Sequence, residues 1–154
     1  MVEEARAAGA RLVVNDRADV AALVGAHGLH VGQDDLSPGD ARTVVGPDSW
    51  LGLSTHTEQQ WTAGLLQPVS YLAIGPVFGT GTKATGYDAV GLETVGRAAH
   101  AAAGKGLPLV AIGGITIERA PSVIASGASA VAVISGLLDG SPEARARAFI
   151  QALS

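Results

Sequence analysis

No cysteine occurs among the 154 residues, and that absence removes disulfides, thiolate metal sites and cysteine nucleophiles together. It also fits a reducing compartment. Basic residues are few and dispersed: 10 Lys and Arg stand against 14 Asp and Glu, giving a net charge of -4. Without a basic patch there is no electrostatic footprint for nucleic acid or for an anionic membrane surface, so an anionic ligand must be held by local groups. Long apolar runs are missing as well. No stretch reaches the ~18 residues of a membrane span, and the charged opening Met1-Val2-Glu3-Glu4-Ala5-Arg6 lacks the apolar stretch of a secretory signal. The expectation is a soluble, cytoplasmic protein with no nucleic-acid or membrane partner.

What the chain does have is apolar content: 47% of its residues are hydrophobic, enough for one substantial core, so a single domain over residues 1–154 is expected. Short runs rich in Val, Ile and Leu at 12–14, 29–31, 50–53, 71–74, 109–112 and 130–134 show no alternation with polar residues, which predicts strands buried on both faces. Alanine-rich stretches with helical spacing lie between and after them, at about 19–24, 39–45, 58–66, 92–103, 117–125 and 143–153. Ser37-Pro38, Thr57 and Ser141-Pro142 read as N-caps, and Gly25 and Gly127 as the ends of helices that feed strands.

Alternating strands and helices predict a parallel sheet, and polar residues gathered after each strand favour an α/β fold of the (β/α)8 TIM-barrel type over a doubly wound sheet. The count is six βα units, with residues 1–8 reading as the tail of a helix that has no strand before it. An incomplete barrel lacking its first strand-helix-strand is therefore expected. Its two apolar edges, at 12–14 and 130–134, favour association with another copy.

In such a fold the segments after the strands converge on one face. They are Asn15-Asp16-Arg17, Gly32-Gln33-Asp34-Asp35, Ser54-Thr55-His56, a long loop Gly75-Pro76-Val77-Phe78-Gly79-Thr80-Gly81-Thr82-Lys83, then Gly113-Gly114-Ile115 and Ile134-Ser135-Gly136. The long loop reads as a phosphate cradle: glycines admit close backbone approach, Thr80 and Thr82 can donate hydroxyl protons, and Lys83 adds a compact positive charge. Its spacing is not that of a Walker loop. Gly113-Gly114 and Ser135-Gly136 can offer backbone N–H groups to a phosphate. Asp16 and Asp35, with no softer ligand nearby, suit a hard cation such as Mg2+, or else serve as helix cap and turn residues. Asp34 competes with Asp35, because one residue's step at a strand end reverses the direction of the side chain.

Ser54 and His56 stand too close in sequence to face each other and no G-x-S-x-G elbow surrounds Ser54, so Ser54 reads as a hydrogen-bond donor to substrate and not as a hydrolase nucleophile. His27, His30, His56 and His100 lack metal-ligand spacing and read as structural or surface residues. Trp50 and Trp61 read as core or helix-packing residues.

Taken in order, Asn15-Asp16-Arg17, Gly32-Gln33-Asp34-Asp35, Gly52-Leu53-Ser54-Thr55-His56, Gly75-Pro76-Val77-Phe78, Thr80-Gly81-Thr82-Lys83, Ala111-Ile112-Gly113-Gly114-Ile115 and Val133-Ile134-Ser135 give the chain a resemblance to the thiamine-phosphate synthase family that runs nearly end to end. The resemblance implies a (β/α)8 barrel and a transferase that joins hydroxymethylpyrimidine pyrophosphate to thiazole phosphate, releasing pyrophosphate with the help of Mg2+. It implies Asp16 and Asp35 as the Mg2+ ligands, and Asn15, Ser54 and Lys83 at the pyrimidine pyrophosphate, with Ser54 and Lys83 serving the chemistry. It implies Thr80, Gly81, Thr82, Gly114, Ile134 and Ser135 at the thiazole phosphate. It further implies that the pyrimidine substrate ionises before the thiazole nitrogen attacks, a scheme that needs no protein nucleophile. The family's opening strand, helix and second strand, which carry a Gln-x-Arg-x-Lys segment, have no counterpart here.

Two other readings compete. One is an isomerase similar to the thiazole tautomerase, a relative on the same fold in which a histidine tends to stand where this chain has Pro76 and the Asn-Asp-Arg segment is lost. The other is a phosphate-binding remnant without catalysis. Asp16 and Pro76 favour the transferase.

Overall fold

The computed structural model describes residues 1–79 and 86–154. Strands β1 (Val13–Asn15), β2 (Gly28–Val31), β3 (Trp50–Thr55), β4 (Tyr71–Ile74), β5 (Leu109–Ile112) and β6 (Ala130–Ala132) pair in parallel and in chain order. Helices α1 (Val2–Ala7), α2 (Ala18–Val24), α3 (Pro38–Val45), α4 (Glu58–Gly64), α5 (Gly91–Ala103), α6 (Ala120–Ala125), α7 (Ser135–Leu138) and α8 (Pro142–Ala152) complete the chain. Among the described residues this is an α/β fold of the TIM-barrel type with six strands, an incomplete barrel.

Local chemistry sets the boundaries. The side-chain oxygens of Ser37, Thr57 and Ser141 accept hydrogen bonds from the N–H groups of Asp40, Gln60 and Ala144, which caps α3, α4 and α8 as their sequences predict. Gly25 closes α2 in the left-handed region at φ 61, where a side chain would be strained. The single-turn helix α7 has no sequence forecast, because four residues are too few to show a period. At the opposite end of the sheet the Arg42 guanidinium donates to the carbonyls of Gly46, Ser49 and Pro68, tying together the loops that enter β3 and β4.

The strands bury one face fully and the other only in part. Leu29, Val31, Leu51, Leu53, Leu72, Ile74, Leu109 and Ala111 are closed to solvent and form one core with helix residues such as Ala41, Trp61, Val95, Ala98 and Val123. The alternate residues His30, Ser54, Tyr71, Val110 and Ile112 are only half-buried. The alternation escapes the sequence because many inward positions hold Gly or Ala, among them Gly28, Gly52, Ala73 and Ala132, which count as apolar but put little side chain on that face. Trp50 also departs from expectation: it is 47% exposed with the Arg11 guanidinium 5.5 Å from its ring centroid, whereas Trp61 is buried as forecast.

Among the described residues no helix is long and apolar enough to cross a membrane. The packing predicts a sharp contrast in stability. Leu51→Ala, at a fully buried position, should lower the unfolding free energy by about 2–5 kcal/mol. Leu23→Ala, on a side chain 87% exposed, should change it by no more than about 0.5 kcal/mol. Urea titration of the two variants against the parent measures both.

Candidate active site at the carboxyl ends of the strands

Parallel pairing brings all six strand ends to one edge, and there the chain forms a cavity of about 810 Å³. Every strand end contributes: Asn15 and Asp16 after β1, Gly32 to Asp35 after β2, Ser54 and His56 from β3, Gly75 and Pro76 after β4, Ile112 to Ile115 at β5, and Ala132 to Ser135 at β6.

The acidic side of the cavity is ordered by backbone. Asp16 is the one non-glycine residue with positive φ among those described, at 65°, and its N–H donates to the His30 carbonyl at 2.8 Å. Aspartate tolerates this left-handed conformation better than most residues, and the hydrogen bond holds it there. Asp16 does not cap α2, whose N-cap is Arg17 and which has no side-chain cap. Arg17 instead turns to Asp19 through two hydrogen bonds, of 2.8 and 2.6 Å, and these hold the exposed Asp19 carboxyl down to about 2. Asp35 accepts the Gly32 N–H at 2.7 Å, so it closes a turn and faces the cavity as well. Asp34 lines the cavity beside it.

The described lining therefore holds three carboxylates and neither lysine nor arginine. A polyanion entering it meets net repulsion unless a cation comes with it. No group of three or more acidic or imidazole side chains gathers closely enough to hold a metal ion by protein atoms alone among the described residues. The donor set suits an oxygen-loving divalent cation that keeps water and ligand oxygens in most of its positions.

Ser54 has a partner that the sequence did not reveal. Its Oγ lies 2.8 Å from His30 Nε2, and His30 Nδ1 lies 3.0 Å from the Tyr71 hydroxyl. Register explains the meeting: His30 pairs with Gly52 and Gly52 with Tyr71, so all three share the inward face with Ser54 two residues on. Gly52 is the space in which they meet, since a Cβ there would overlap the Tyr71 ring and His30 Nδ1. The Gln33 side-chain amide donates to the Ser54 carbonyl at 2.6 Å and fixes its backbone. Burial pushes the His30 imidazole below its usual range, partly opposed by the Asp35 charge.

His56 belongs to a second cluster. Its Nδ1 donates to the Gly75 carbonyl at 2.6 Å, and its ring stacks on Tyr87 with centroids 4.1 Å apart. Gln60 joins the pair, accepting from the His56 N–H and donating to the Tyr87 hydroxyl. Both His30 and His56 thus line the cavity, against the expectation of structural or surface roles. The signal for His30 lay in its place, a polar residue inside the apolar run 29–31.

The far wall is backbone. Val77 and Phe78 donate N–H groups to the carbonyls of Ile112 and Gly113, which lays the segment after β4 against the end of β5. Gly114, at φ 65, has the Phe78 and Gly79 carbonyls within 2.9 Å of where a Cβ would stand, so only glycine fits. Arg119 donates to the Gly114 carbonyl and lies over the Phe78 ring, 4.7 Å from its centroid.

Of the residues expected at the site, Asn15, Asp16, Asp35, Ser54, Gly114, Ile134 and Ser135 all line this one cavity. Thr80, Gly81, Thr82 and Lys83 lie outside the described residues.

Comparison with known proteins follows the same lines. The family model described as thiamine monophosphate synthase matches residues 1–137. A thiamine-phosphate synthase of Koribacter versatilis is 51% identical over 142 residues, 92% of this chain and 65% of that protein. One from Azorhizobium caulinodans is 44% identical over 145 residues, 89% of this chain and 66% of that protein. The chain thus spans about two thirds of the length of these relatives. Among solved structures, a thiamine phosphate pyrophosphorylase from Pyrococcus furiosus is similar with a TM-score of 0.84 at 27% identity, over 99% of this chain and 73% of that one.

The lowered His30 value has a consequence for stability in metal-free solution. The unfolded chain takes up a proton on this imidazole near the ordinary 6.5, while the folded chain resists it. The contribution is therefore present above that pH and is lost as pH falls through the lower folded value. His30→Gln should flatten the decline of the urea midpoint below pH 6.5 relative to the parent. An equally steep decline in both would show that His30 is not its source.

Proposed function

The chain belongs to the thiamine monophosphate synthase family, and from that membership we propose that it is a transferase joining hydroxymethylpyrimidine pyrophosphate to thiazole phosphate, with thiamine phosphate and pyrophosphate as products. The observation that carries the reading is the single cavity in which the strand ends of β1, β2 and β3 present carboxylates and a hydroxyl while those of β5 and β6 present backbone. That division suits two phosphorylated substrates lying side by side.

The reaction asks for little covalent help from the protein. The bond from the pyrimidine methylene carbon to the pyrophosphate oxygen breaks with its electron pair on oxygen, and the thiazole nitrogen lone pair forms the new carbon–nitrogen bond. No proton need be taken from either substrate. His30 fits a site without a general base, since both its ring nitrogens are already engaged by Ser54 and Tyr71. The protein's part is to orient the substrates and to stabilise the departing charge.

Within this reading Asp16 and Asp35 hold Mg2+, which when bound neutralises the pyrophosphate oxygens. Asn15 and Ser54 bind the pyrimidine pyrophosphate, with Lys83 carried from the sequence to the same role. Gly114, Ile134 and Ser135 receive the thiazole phosphate together with Thr80, Gly81 and Thr82. Multiply ionised substrates of this kind do not cross a bilayer unaided, which suits a cytoplasmic setting. A second copy of the chain as partner is supported by the thin cover over β1 and β6, whose residues are exposed or half-buried throughout. The isomerase reading is disfavoured, since the cavity wall carries Pro76 where that activity expects a histidine.

Calorimetry tests the site directly. Inorganic pyrophosphate should bind far more tightly with Mg2+ than without, and Asp16→Ala or Asp35→Ala should lower the Mg2+-dependent affinity at least ~10-fold. Undiminished affinity in both variants overturns the assignment. With both organic substrates and Mg2+, the chain should form thiamine phosphate and pyrophosphate in equal amounts, and Lys83→Ala should lower kcat by ~10²- to 10³-fold. Conversion of the thiazole phosphate to an isomer without any coupled product would support the tautomerase reading instead.

A further inference from the structure

The Tyr71, His30 and Ser54 side chains form a continuous hydrogen-bonded line from the interior of the sheet to the cavity. A neutral imidazole carries one N–H, and two arrangements of protons satisfy both bonds. In the first, the Tyr71 hydroxyl donates to Nδ1, the N–H sits on Nε2 and donates to Ser54, and the Ser54 proton is left over. In the second, Ser54 donates to Nε2, the N–H sits on Nδ1 and donates to Tyr71, and the phenol proton is left over.

The surroundings decide between them. Tyr71 is half-buried, and its hydroxyl has no partner other than His30 among the described residues. A phenol proton left over there has no protein acceptor among the described residues, which makes this the less favourable arrangement. The Ser54 proton, by contrast, opens onto the cavity, where water or a ligand oxygen accepts it. A phenol is also the stronger donor of the two hydroxyls and the unprotonated imidazole nitrogen the best acceptor in the line.

We propose that Tyr71 fixes His30 as the Nε2–H tautomer and that this relay commits the Ser54 hydroxyl proton to the cavity, as a donor to an anionic ligand oxygen. Ser54 then accepts from His30 while it donates to the ligand, and the two bonds polarise in the same direction, which strengthens the second. Tyr71 and His30 act as positioning residues through Ser54. The fixed tautomer also removes the competing choice in which Ser54 turns its proton back to the histidine and presents lone pairs to an anion. The hydrogen-bond direction stands on the contacts of the three side chains and on their donor strengths, and its use on a pyrophosphate oxygen rests on the transferase reading.

Long-range proton–nitrogen correlation spectra of the ¹⁵N-labelled chain near pH 7.5, with His30→Gln to assign the resonances, read the tautomer without any substrate. The expected result is a protonated Nε2 and an unprotonated Nδ1 for His30. An N–H on Nδ1 overturns the proposal. In Tyr71→Phe the single tautomer should give way to a mixture, and retention of a pure Nε2–H form would remove Tyr71 from the relay. Titration with inorganic pyrophosphate and Mg2+ should show affinity ~2- to 10-fold weaker in Tyr71→Phe than in the parent. Equal affinities would contradict the donor role of Ser54. Absence of pyrophosphate binding in the parent would sink the transferase reading, and the tautomer signals would still decide the relay.

Discussion

A parallel strand can rejoin its neighbour only through a crossover, and crossovers of this kind are nearly always right-handed. Six strands laid down in chain order therefore send their connecting helices to one side of the sheet. That side becomes the core, filled by Leu, Ile and Val from the strands and by Ala-rich helix faces. The opposite side is left for small and polar residues. The cavity, its carboxylates and its backbone wall all follow from this asymmetry, because a sheet covered on both faces would have no inward surface for His30, Ser54 or Tyr71 to occupy.

Charge and geometry divide the cavity into two halves that suit different tasks. The β1 to β3 side is acidic, and its carboxylates are set by main-chain hydrogen bonds from Gly32 and by the αL conformation at Asp16. The β5 to β6 side lacks charged side chains among the described lining residues, and its shape comes from tight main-chain contacts around Gly114. On the proposed reading, the acidic side would take its anion together with a cation and the backbone-lined side would take the second phosphate.

Much of this was legible in the sequence, and the reasons are local. Strand β5 at Leu109–Ile112 and the Ser37, Thr57 and Ser141 caps are written in short stretches whose chemistry depends on few neighbours. Asn15, Asp16, Asp35 and Ser54 were readable because position after a strand predicts convergence. What was not legible depends on register. His30 and Ser54 lie 24 residues apart, and only the pairing of His30 with Gly52 brings them together. Trp50 was misjudged because apolar character alone does not say whether a strand end is covered.

The missing side chain at Gly52 also constrains how this sequence can drift. Position 52 cannot grow while Tyr71 and His30 keep their rings, because the space it would enter is already theirs. A lineage that acquires alanine or larger at 52 must first have shrunk residue 71 or turned residue 30 away, and either step breaks the line to Ser54. The order of substitutions is thus fixed by sterics, and the intermediate along that path is a protein with an altered cavity before it is one with an altered strand. In this chain Gly52 thus ties residues 30, 54 and 71 to one joint fate.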